Sequence, residues 1–215
     1  EAMISIGNSL GRNTMAMITD MNQPLGNTIG NAIEIKEAIE TLKGHGPKDF
    51  TELCMQAAEI MLMQGKVAEN KEEARKMLEE VVASGKAFET FKDMVKAQGG
   101  NVDMIENPEL LPQSKFKTEI KSEESGNVKV LHSERLGVLA MQLGAGRETK
   151  EQDVNHAVGL ELACKRGDKV NKGDTICIVY HDEELKPQWV EELYHAFELT
   201  DEEVAPQPII EKVLS

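Results

Sequence analysis

Few residues in this 215-residue sequence have the type and spacing to do chemistry, and the most pointed are two glutamates. Residues 20–46 read DMNQPLGNTIGNAIEIKEAIETLKGHG, a loop followed by a predicted helix on which Glu34 and Glu37 lie three apart. Lys36 pairs with Glu40 at i,i+4 and Glu40 precedes Lys43 by three, so that side of the helix neutralises itself. Glu34 has Gly30, Asn31, Glu37 and Ala38 as helical neighbours, and Glu37 has Ile33, Glu34, Glu40 and Thr41. Neither has a cation, and the two repel each other modestly, with some relief from the helix N-terminus. Either both are solvated, or a cation reaches them from elsewhere in the fold. Gln23-Pro24-Leu25-Gly26 is a rigid turn whose carbonyls cannot all be satisfied internally. Carbonyls plus one carboxylate are the ligands a hard cation takes.

The remaining candidates are weaker. GDKVNKGDTICIV sets two Gly-Asp turns about a short strand, as in biotinyl and lipoyl carriers, but Lys165 and Lys172 do not occupy the exposed hairpin tip such a carrier needs. Turn geometry is the expected reading there. LGAGRE lacks the G-x-G-x-x-G spacing of a dinucleotide loop, and its glycines are expected to end a helix. Arg147 is expected in a structural ion pair rather than on a bound anion, the other role open to it. The five histidines are scattered without an i,i+4 pair, and no serine sits in a G-x-S-x-G elbow. By pattern alone the chain holds no catalytic apparatus.

These groups need a scaffold, and the composition supplies one. The sequence is 40% apolar and 29% charged, an ordinary globular balance. A net charge of -14 with no basic cluster excludes a nucleic-acid backbone as partner. Three cysteines without metal-ligand spacing predict reduced, buried thiols in a cytoplasmic protein. No apolar run approaches the roughly 20 residues that cross a bilayer.

Along the chain, EAMISIGNSLG is expected to be the last turns of a helix already under way. GRNTMAMIT suits a buried strand. Helices are predicted over the Glu-bearing stretch, over PKDFTELCMQAAEIMLMQG (Leu53, Ala57, Ile60, Met61 and Met63 inward), over KEEARKMLEEVVASG and over KAFETFKDMVKAQGG. After residues 107–114 the texture changes. FKTEIKSEESGNVKVLHSE reads as two strands about a turn at Glu124–Asn127, RLGVLAMQLGAGRE as a short apolar helix and the Gly-Asp segment as hairpin-rich β structure. KPQWVEELYHAFEL reads as an amphipathic helix before a Pro-flanked tail. The expected architecture is α/β in residues 1–110, helical around a strand, followed by a compact α+β domain in residues 111–215.

The string from Asp20 to Pro47 resembles the segment that follows the catalytic half of the pyrimidine-nucleoside and thymidine phosphorylase family. LGAGRETKEQDVNHAVGL and GDKVNKGD resemble that family's C-terminal domain, in the same order. The likeness spans essentially the whole chain. It implies the later part of a large α/β domain followed by a hammerhead-like α+β domain, in a homodimeric enzyme that exchanges a pyrimidine base for phosphate. It also implies a potassium ion, held in bacterial members by two carbonyls of the QPLG stretch and one helix glutamate. Matched residue by residue, these are the carbonyls of Leu25 and Thr28 and the carboxylate of Glu37, with Glu34 a bystander. The family's phosphate-binding glycine-rich loop and its base-reading residues lie upstream and have no counterpart here. The sequence is therefore expected to be inactive alone and to carry no catalytic residue. A ribose-phosphate-transferring relative such as an AMP phosphorylase, or a non-catalytic carrier or interaction module, are the other functions compatible with it.

Overall fold

The computed structural model describes residues 1–205 and 207–214. A first helix, α1 (Ala2–Ser9), leads to strand β1 (Ala16–Thr19); after the QPLG bend come β2 (Thr28–Gly30) and α2 (Ala32–Leu42). Three further helices follow: α3 (Lys48–Gln64), α4 (Lys71–Ala83) and α5 (Lys86–Ala97). Short turns α6 (Asp103–Glu106) and Pro108–Leu110 lead into the β-rich part: β3 (Phe116–Lys121), β4 (Gly126–Leu131), α7 (Ser133–Ala140), β5 (Gly159–Leu162), β6 (Lys169–Val170), β7 (Thr175–His181), α8 (Pro187–Ala196), β8 (Phe197–Thr200) and β9 (Ile210–Leu214). No helix among the described residues is long and apolar enough to cross a membrane.

Local chemistry sets the helix ends. Asn70 caps α4 by accepting the Glu73 N–H at 2.9 Å while Glu73 reaches back to the Glu69 N–H at 2.8 Å. Gly85, at φ 77°, separates α4 from α5, and Pro187 opens α8 where its missing N–H has no partner to lose. Both Gly-Asp turns have one build. Gly167 and Gly173 share φ 93°, and Asp168 and Asp174 each accept an N–H three residues back, from Lys165 and Asn171, at 2.8 Å.

Strands sort into three sheets: β2-β5-β7-β3, β6-β4-β8 and the pair β1-β9, with every pairing antiparallel. Helices α7 and α8 lie on the sheets of the second part. They close a core of Val128, Leu131, Leu136, Leu160, Val179 and Leu193, each no more than 1% exposed. Strand pairing crosses the change of texture at 107–114, since β1 and β2 precede it while β9 and β5 follow it.

Several expectations are corrected. β3 and β4 flank the anticipated turn but do not pair; β3 joins β7 and β4 joins β8. The helix expected through Leu199 stops at Ala196, because Phe197–Thr200 gains a ladder to β4. The presumed tail contains β9, which pairs with β1 some 190 residues away, a partner no local signal names. Met61 is 69% exposed whereas Glu59 is buried, so the inner face of α3 is rotated from the apolar stripe by an ion pair. Arg75 of α4 donates from Nε to the buried Glu59 and makes a two-pronged contact with Glu52 at 2.9 and 3.0 Å. Cys54 is exposed on α3 rather than buried; Cys164 and Cys177 are buried as expected, and burial pushes both thiols up to about 12. At neutral pH these two are packing groups, not nucleophiles.

Candidate cation site

The QPLG bend lies beside the edge strand β2, and sheet geometry decides what that edge offers. Leu162 N–H donates to the Asn27 carbonyl at 2.7 Å, so the bonded pairs are Asn27 with Leu162 and Ile29 with Leu160. Thr28, opposite Glu161, falls in the non-bonded pair between them, and its carbonyl turns away from β5 toward the open edge. Gly26 takes φ +70°, a left-handed conformation that a side chain disfavours. A Cβ there would meet Glu37 Oε1 at 2.1 Å, so the helix carboxylate rests directly on the bend.

Glu37 therefore does not face bulk water. Its Oε2 accepts the Asn27 N–H at 2.8 Å, and burial pushes its carboxyl above the usual range of 4.5. The Asn27 N–H pulls it partly back, Asp49 pushes it up further and Lys165 opposes that. The Thr28 hydroxyl is buried and makes no hydrogen bond of sound geometry among the described residues. A half-buried carboxylate left short of positive charge and a buried hydroxyl without a partner are the marks of a place that would accept a cation. Leu25, Thr28 and Glu37 line one pocket of about 370 Å³ with Phe50, and the structure thus brings all three anticipated ligands together. No hydrogen bond among the described residues ends on the Leu25 carbonyl. The donor set fits a hard cation such as potassium.

Two features went unforeseen in the sequence. Lys165, on the first Gly-Asp turn, donates to the carbonyls of Pro24 and, at 2.5 Å, of Gly26, and pairs with Asp49 at 3.0 Å. Part of the bend's demand for positive charge is thus met by the protein itself. Locally Lys165 reads as one more turn lysine, and only the fold reveals its target. Lys36 departs from the helix pairing expected for it and contacts Glu109 at 3.3 Å, leaving Glu40 to Lys43 and His45. Glu34, exposed, accepts the Gly30 N–H at 2.9 Å at the start of α2 and lines the same pocket as the three anticipated ligands. Arg147 is exposed and has no ion pair among the described residues, against expectation.

Comparison with known proteins gives the site its context. Residues 1–88 match the model of the glycosyl transferase family a/b domain. Residues 127–200 match the pyrimidine nucleoside phosphorylase C-terminal domain. A protein named pyrimidine-nucleoside phosphorylase from Staphylococcus aureus strain USA300 is 46% identical over 214 residues, covering 100% of this chain and 49% of its own length. The chain belongs to the pyrimidine-nucleoside phosphorylase family. The homologue from strain MSSA476 is also 46% identical, over 213 residues. This chain spans about half the length of the curated relatives it matches. The bend, β2 and α2 lie in the stretch matched by the a/b domain, and Lys165 lies in the stretch matched by the C-terminal domain.

Proposed function

We propose that this chain is the later half of a pyrimidine-nucleoside phosphorylase, which moves the pentosyl group of a pyrimidine nucleoside to phosphate and releases the free base. The observation that carries this reading is 46% identity along the entire chain to proteins of that name. In this half the contribution to catalysis is positional. Leu25 and Thr28 would hold a potassium ion through their carbonyls and Glu37 through its carboxylate. A bound ion would supply fixed positive charge at the bend. The chain's own residues keep that place shaped: Asn27 orients the carboxylate, Gly26 lets it approach and β5 turns the Thr28 carbonyl outward. The groups that would steady the departing base and the incoming phosphate belong to the other half. We place the enzyme in the cytoplasm as a homodimer, a setting that suits its three free thiols.

The assay compares this chain with the enzyme that joins it to the upstream half of the family. The joined enzyme is expected to convert uridine or thymidine and phosphate to base and pentose 1-phosphate, and this chain alone to give no product above buffer. Phosphorolysis of AMP without turnover of pyrimidine nucleosides would overturn the assignment.

A further inference from the structure

We infer that Lys165 is a positioning residue for the proposed cation site, an internal ammonium that fixes the QPLG bend from the opposite domain. An ammonium has three N–H donors and no acceptor. Lys165 has three acceptors around it: the carbonyls of Pro24 and Gly26 and the carboxylate of Asp49. Its capacity is filled, which removes it from any role as a carrier lysine. Asp49 Oδ2 also accepts the Gly26 N–H at 3.2 Å, so the Lys165–Asp49 pair grips Gly26 by both its N–H and its carbonyl. The neighbouring Arg166 N–H donates to Gln23 Oε1 at 3.2 Å, adding a second hold on the same bend.

The consequence concerns which carbonyls remain. Lys165 consumes those of Pro24 and Gly26, on either side of Leu25, and leaves the Leu25 carbonyl without a partner among the described residues. A bend with every carbonyl free would be a loose and unselective cation trap. One whose flanking oxygens are already bonded presents a defined subset. The first Gly-Asp turn has a purpose in this light: Gly167 at φ 93° and the Asp168 cap on the Lys165 N–H fix the residue from which the ammonium projects.

This inference rests on the proposed potassium site, and the test separates the two. In the intact phosphorylase carrying this chain, Lys165→Met keeps the aliphatic stem and removes the charge, and Lys165→Arg keeps the charge. Lys172→Met in the second turn, where Asn171 holds the place that Lys165 has in the first, serves as control, its side chain having no hydrogen bond among the described residues. Lys165→Met is expected to raise the potassium concentration for half-activation about tenfold, the loss of one charge-assisted hydrogen bond, with kcat at saturating potassium nearly unchanged. Hydrogen exchange of residues 22–31 should speed up in the same variant, Lys165→Arg should recover part of both effects and Lys172→Met should match the parent. Should Lys165→Met not fold, Asp49→Asn, which weakens the same grip, carries the measurement. An unchanged potassium midpoint together with unchanged exchange at residues 22–31 overturns the inference. A parent enzyme indifferent to potassium overturns the metal assignment instead, and exchange of the bend then decides alone whether Lys165 fixes it.

Discussion

Replacing Arg75 by Met is expected to destabilise the protein by about 3–5 kcal/mol, read as a shift in the urea midpoint at constant slope. Glu59 is 5% exposed in the middle of α3, and Arg75 supplies the charge that makes this burial tolerable. Removing the guanidinium leaves a carboxylate with neither partner nor water, the costliest way to break such a pair. The double change Arg75→Met with Glu59→Gln should return much of the loss, because no buried unpaired charge remains and Glu52 is left with access to water. Glu52 adds a pH signature. Its carboxyl is held below the usual 4.5, first by hydrogen bonding to Arg75 and then to Gln56. A depressed carboxyl contributes stability that is complete above its unfolded value and fades as the pH falls through its folded value. The parent should therefore lose this contribution below about pH 4.5, and Arg75→Met should show a flatter acid limb.

Gly159→Ala is expected to cost about 1–3 kcal/mol and to disturb the proposed cation site as well. A Cβ at this position would stand 2.4 Å from the Ile29 carbonyl oxygen and 2.7 Å from Ile33 Cδ1. The first neighbour is backbone and cannot swing aside. Relief requires β2 to move away from β5, and β2 carries Thr28. Differential scanning calorimetry should show the loss of stability. Hydrogen exchange should show faster opening at residues 27–31 than in a variant of similar cost at the α3–α4 contact.

The contrast between the two sites explains what the sequence made legible. Helices α2 to α5 are written locally, in apolar spacing and in punctuation such as Gly44, Gly46, Pro47, Gly85 and Gly99, and they fall where expected. Strand partners are not local. FKTEIK and GNVKVL look like one hairpin, yet each finds a better partner far along the chain, and the β1–β9 pair joins the two ends. Burial misled in the same way. Glu59 is inside because Arg75 meets it, a fact carried by two helices at once.

At the site, the unmatched charge of Glu37 was visible because helical neighbours are fixed by spacing alone. The proximity of Leu25, Thr28 and Glu37 also followed from the family likeness, and the geometry brings them to one pocket. Lys165 was invisible. It is 141 residues from Pro24, and nothing in CKRGDKV says that its ammonium crosses to another segment.

As proposed, the bend, the β2 edge and Glu37 form one alkali-cation site. Crystals of the intact phosphorylase grown with rubidium in place of potassium test it directly, since rubidium is located by its anomalous scattering. The account predicts a rubidium peak bonded to the carbonyl oxygens of Leu25 and Thr28 and to the carboxylate of Glu37, with Lys165 still on Pro24 and Gly26. A Glu37 side chain turned into open solvent, with rubidium bound elsewhere or not at all, would contradict it.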